Sequence, residues 1–146
     1  SEFEGLDSPQ GDVNIAFDFE VPGAFTPNAS GGFRFDGAPL EVSLLQAFAS
    51  GPSREQDLVY TWFLASNVEL ALVVPHGSEF DVTPSQARGA FGHLWWTTAT
   101  EVRGNTLTWR RALYLPPFRV LPADYPDFRA FVVDYDAAAH ARWSWH

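Results

Sequence analysis

Gly104-Asn105 limits the fold more than any other feature of the sequence. The pair lies between two long runs rich in β-branched and aromatic residues, Ala90 to Val102 and Thr106 to Leu115. A glycine-asparagine pair so flanked is a hairpin signal, because both residues tolerate the positive φ of a tight turn. Successive side chains of a strand point to opposite faces, so Leu107, Trp109, Arg111 and Leu113 share one side of the return strand. A long hairpin with one apolar face needs a second layer to cover it.

The other segments supply strands for such layers. Val13, Ile15, Phe17 and Phe19 alternate with Asn14, Ala16 and Asp18, which is period two. Pro22-Gly23 ends that run, and residues 27–32 form a loop. Phe33-Arg34-Phe35 begins a second strand that closes at the turn Asp36-Gly37. Leu58 to Leu64 and Val68 to Val74 read as two further strands, with Pro75 to Ser78 as a turn. Phe80-Asp81-Val82 and Phe118 to Pro122 are short and extended. Leu40 to Ala49 stays open between two structures. Leu44, Leu45 and Phe48 suit a helix, whereas Leu40, Val42 and Leu44 suit a strand.

Near the end the period changes. Asp124 is a helix N-cap with Pro126 just inside, and Phe128, Phe131, Val132 and Tyr135 follow at helical spacing to about Ala139. Arg142 to Trp145 is a last strand. The pattern predicts a mainly β chain, an antiparallel β-sandwich of about seven to nine strands with one short helix near the C-terminus. Residues 11–146 are expected to form this single domain. Residues 1–10 are expected to be a disordered or cloning-derived segment.

Composition removes whole classes of function. The net charge is −9, and all nine basic residues are arginine. Nucleic-acid binding needs a basic stripe, and an anionic membrane surface would repel this chain, so neither is an expected partner. The apolar stretch Val68 to Val74 is far below the ~20 residues of a membrane span. There is no cysteine, hence no disulfide, thiolate zinc site or thiol nucleophile. The four histidines, His76, His93, His140 and His146, show no metal-ligand spacing. Asp134-Tyr135-Asp136 lacks the central glycine and distal glutamate of a calcium loop and reads as a solvated face. No catalytic, cofactor or metal residue is expected.

Aromatic residues make up 16% of the chain. Trp95 and Trp96 are adjacent, so in a strand one faces the core and the other does not. Trp143 and Trp145 would share a face. These four tryptophans are the candidate interaction surface, since flat aromatics stack on sugar rings and are enriched where domains meet. Arg111 is expected to pair with a carboxylate or stack on an aromatic. Tyr125 is expected to bury its ring and bond through its hydroxyl.

The second half carries a run of motifs: Arg54, then Leu58 to Leu64, Val74-Pro75-His76-Gly77, Phe80 to Pro84, Leu107 to Arg111, and finally Leu121 to Phe131 with Tyr125, Pro126, Arg129 and Phe131. This run resembles the C-terminal β domain of bacterial transglutaminase-like multidomain proteins. Those proteins join an N-terminal β domain of unknown function to a papain-like transglutaminase core. Their catalytic cysteine, histidine and aspartate lie in that core, which no part of this chain matches. The resemblance therefore implies a non-catalytic accessory domain in the periplasm or outside the cell. Its partners would be neighbouring domains or another protein. A carbohydrate-binding module is the alternative, and a small carboxylate-dependent hydrolase a third reading.

Overall fold

The computed structural model describes residues 2–4, 14–16, 23–29, 31–36, 43–139 and 142–146. In chain order these hold β1 (Glu2–Glu4), β2 (Asn14–Ala16), β3 (Phe25–Pro27), β4 (Phe33–Asp36), α1 (Leu44–Phe48), β5 (Leu58–Tyr60), β6 (Leu64–Val73), β7 (Ser85–Phe91), β8 (Leu94–Arg103), β9 (Thr106–Leu115), β10 (Phe118–Val120), α2 (Tyr125–Ala139) and β11 (Arg142–Trp145). The chain is mainly β, and every strand pairing is antiparallel.

The predicted hairpin is the centre of the molecule. β8 and β9 pair around Gly104, whose φ is +60°, and β6 and β7 flank them in the order β6-β9-β8-β7. Burial alternates along β8 and β9 as the pleat requires. One face of this sheet carries Leu94, Trp96, Leu107, Trp109, Arg111, Leu113 and Leu115, all buried.

Two different structures cover that inner face. At one end, α2 brings Phe128, Phe131, Val132 and Tyr135 onto Leu94, Trp96, Leu113 and Leu115. α1 and the two-stranded sheet β5-β10 complete this cluster through Leu44, Tyr60, Phe118 and Val120. At the other end, the sheet β11-β4-β3 sets Trp143, Trp145 and Phe35 against Leu72, Val74, Leu107 and Trp109. The segment Phe80-Asp81 joins it through Asp81 N–H to the Ser144 carbonyl (2.8 Å) and an isolated antiparallel bridge of Phe80 to Trp145. The sandwich thus has a second layer that is part sheet and part helix.

Arg111 lies between the two clusters. Its guanidinium sits 5.6 Å from the centroid of the Trp109 ring, the second of the two arrangements expected for it. Trp109 in turn meets Trp143 edge-on at 5.9 Å across the layers.

Three sequence expectations need correction. Leu58 to Leu64 is not one strand. β5 ends at Tyr60 and β6 begins at Leu64, because the two strands belong to different sheets and the chain crosses between them. Ala90 to Val102 is likewise not one strand. Gly92, at φ +58°, turns the chain from β7 into β8. Asp136 is not a solvated bystander. It accepts from Leu44 N–H (2.8 Å), Leu45 N–H (3.1 Å) and the Ser43 hydroxyl (2.7 Å), and so closes the N-terminus of α1 from α2.

The open segment at 40–49 is helical from Leu44, with Ser43 as N-cap. The helix α2 runs where its spacing placed it. Within the expected N-terminal tail, Glu2–Glu4 pairs with Asn14–Ala16. Residues 5–10, most of that tail, lie outside the described residues, as do Val13 and 17–19 of the first predicted strand, the Gly37 turn position, and Leu40 and Val42.

Candidate binding surface on the outer sheet face

The four candidate tryptophans separate. Trp96, Trp143 and Trp145 are buried at 3%, 5% and 7% exposure. Trp96 packs edge-on to Tyr135, and Trp143 stacks on Phe35 at 5.7 Å and 3°. They are core residues, so they present no surface. Trp95 is on the opposite face, at 42% exposure.

Trp95 does not stand alone there. Its Cα partner across β8-β9 is Tyr114, and the two rings stack at 5.6 Å and 12°. Phe63 meets Tyr114 edge-on at 5.5 Å. Phe63 and its neighbour Trp62 lie in the crossing between β5 and β6, at 62% and 75% exposure. Little in the local pattern points to this group. Trp62 and Phe63 sit in a run with no polar alternation, so nothing marked the crossing. Tyr114 could have been found: it is the outer neighbour of Leu113 and Leu115 in a correctly read strand.

The rest of the outer face is polar and small. Thr97, Thr108, Asn67 and Gln86 share it with alanines 65, 71, 90, 99 and 112, by the strand registers. Arg110 bridges Glu69 (2.8 Å) and Glu101 (3.4 Å), and Arg103 reaches Glu101 as well. The hydrogen bond to Glu69, then the Glu69 charge, raises the pKa of Arg110 above its ordinary value. Glu69 and Glu101 are the carboxylates this face brings together. Both are occupied by Arg110 on an exposed sheet surface, whereas a hydrolytic pair needs a cleft.

The closing-motif residues serve the fold. Tyr125 is buried, and its hydroxyl donates to the Gly51 carbonyl at 2.8 Å, as expected. Arg54 lies over its ring at 5.8 Å. Pro126 is exposed in the first turn of α2, and Phe131 is buried among Phe91 and Phe128. Arg129 is half-buried, and its Nε has no hydrogen-bond partner among the described residues.

His146 contacts Asp81 at 2.9 Å, and His93 Nε2 lies 3.3 Å from the Pro117 carbonyl. His76 is in the turn closed by Ser78 N–H to the Pro75 carbonyl, and His140 lies outside the described residues. Among the described residues, no three histidine, aspartate or glutamate side chains converge on a point that could hold a metal ion. No helix of the described residues is long and apolar enough to cross a membrane.

No family model matches the sequence, and no curated protein matches it. Among solved structures, a candidate protease from Parabacteroides distasonis is similar in fold, with a TM-score of 0.60 at 15% identity. The match covers 80% of this chain and 24% of that one. The likeness is one of fold, and this chain corresponds to about a quarter of the longer protein.

Proposed function

We propose that this chain is a non-catalytic interaction domain of a larger bacterial envelope protein with a transglutaminase-like core. The observation that carries the reading is the contiguous group Phe63, Tyr114 and Trp95 with Trp62 beside it, in which Trp62, Phe63 and Trp95 are exposed and Tyr114 is half-buried. Aromatic residues held rigid and left in water are typical of the centre of protein interfaces, where they become the energetic hot spots. The motifs from Arg54 to Phe131 support the family. The recurrence of the fold as a quarter of a longer chain supports the appended position. On this reading the domain works in the periplasm or outside the cell.

The parent reading frame supplies the test. Its remaining polypeptide is expressed separately and titrated with this chain. Association that weakens at least tenfold with Trp62→Ala or Phe63→Ala is expected. A frame with no papain-like core, or amide hydrolysis by the isolated chain, would refute the proposal.

A second reading is a carbohydrate-binding module. The specific observation in its favour is the near-parallel Trp95–Tyr114 pair on a face that also carries Thr97 and Thr108. Such a platform accepts the C–H face of a sugar ring.

A further inference from the structure

Beside Trp95, the outer face holds two adjoining shallow hollows of about 430 and 490 Å³. They share Arg88 and Thr97. The first is floored by Gly89 and Ala90 and bounded by Trp95. The second continues past Gln86 and Ala99 to Arg110. Together they form a trough along β7 and β8. From Trp95 to Ala99 it spans about 13 Å, at ~3.3 Å per strand residue.

Its charge is unlike that of the chain. Acidic residues outnumber basic ones eighteen to nine overall, yet among the described residues no carboxylate lines either hollow, and two arginines do. Arg110 is already neutralised by Glu69 and Glu101. Arg88 is different: among the described residues it makes no ion pair and no hydrogen bond. A lone exposed arginine is ordinary. This one stands in a trough with an exposed indole at its head and a hydroxyl opposite, since Arg88 faces Thr97 across the strands.

We infer that this trough binds a linear glycan carrying carboxylates, with Trp95 stacking on one sugar ring and Arg88 pairing with the carboxylate of a neighbouring ring. The guanidinium presents parallel N–H donors that match a carboxylate. Thr97 and Gln86 supply hydroxyl and amide groups for the ring hydroxyls. The alanine floor leaves the backbone open to a flat chain but offers no pockets for peptide side chains. The inference rests on the reading of this chain as a binding domain and names the ligand of one part of its surface. Trp62 and Phe63 are left to a protein partner.

The test titrates the intact chain, by calorimetry and tryptophan fluorescence, with three polymers: polygalacturonate, alginate and peptide-free murein glycan strands. Binding of at least one is expected. Affinity should fall at least tenfold for Arg88→Gln and for Trp95→Ala, both checked for native unfolding temperature. It should also fall at least tenfold when the polymer's carboxyls are reduced to alcohols, and it should weaken with salt. Three results would overturn the inference: no binding of any of the three, equal binding of the reduced polymer, or equal binding of poly-glutamate, which would make the ligand an acidic peptide. Loss of glycan binding with Trp62-dependent protein association intact would reject the ligand and leave the binding-domain reading standing. Loss of both would reject both.

Discussion

Asp136 serves two helices at once. It belongs to α2, yet its carboxylate takes the first free N–H groups of α1 and the hydroxyl of its cap residue, across 92 positions of sequence. Hydrogen bonds to a charged acceptor contribute about 1.5–3 kcal/mol net. Asp136→Ala is therefore expected to cost about 2 kcal/mol, read as a lower denaturation midpoint at unchanged slope. Asp136→Asn, which keeps one acceptor oxygen, should lose about half of that. Tyr125→Phe removes only the bond to the Gly51 carbonyl and should cost about 1 kcal/mol by the same assay. Gly89 is a third case. A Cβ there would stand 2.6 Å from the indole of Trp96, which covers the bare backbone of β7. Gly89→Val should displace the indole and destabilise by about 1–3 kcal/mol, with a change in near-ultraviolet circular dichroism that reports the moved ring.

At the scale of elements, the turn from β7 to β8 depends on Gly92 at positive φ. Gly92→Val would force a β-branched residue into that region and should cost about 1–3 kcal/mol, while Gly92→Asn should be nearly neutral in thermal unfolding. This turn also shows what the sequence could convey. Gly104-Asn105 was legible because polar, turn-forming residues interrupt two alternating runs, and β9 begins and ends where the alternation does. Gly92-His93 was not, because a lone glycine inside an aromatic, threonine-rich run does not by itself separate a turn from a kink. The crossing at Trp62-Phe63 was hidden for another reason. It is hydrophobic, and local patterning marks only turns that are polar. α2 was legible from period 3.6 and its capping residues. α1, at five residues, is too short for periodicity to decide, and it owes its end to a tertiary partner in Asp136. Of the candidate site, Trp95 and, from the alternation of β9, Tyr114 were legible in the sequence, whereas Trp62 and Phe63 were not. Burial of Trp96 followed from strand alternation, but burial of Trp143 and Trp145 depended on which layer β11 would join.

For the whole molecule, the division of labour between the two faces of the four-stranded sheet matters most. The inner face is spent on stability, covered by α2 at one end and by the β11-β4-β3 sheet at the other. Among the described residues the outer face carries no covering layer, and it holds a stacked aromatic group, an ion-pair network and a trough that none of their carboxylates lines. Removing Phe63 or Trp62 should leave the unfolding temperature within a few degrees of native while changing binding, because neither side chain belongs to a core cluster. On the proposed reading, this face binds a protein partner. Calorimetric titration of the remaining parent polypeptide with native chain and with Trp62→Ala/Phe63→Ala tests it most directly. The account predicts saturable association with the native chain and at least a tenfold weaker one with the equally stable double variant; equal affinity of the two, or no association at all, would contradict it.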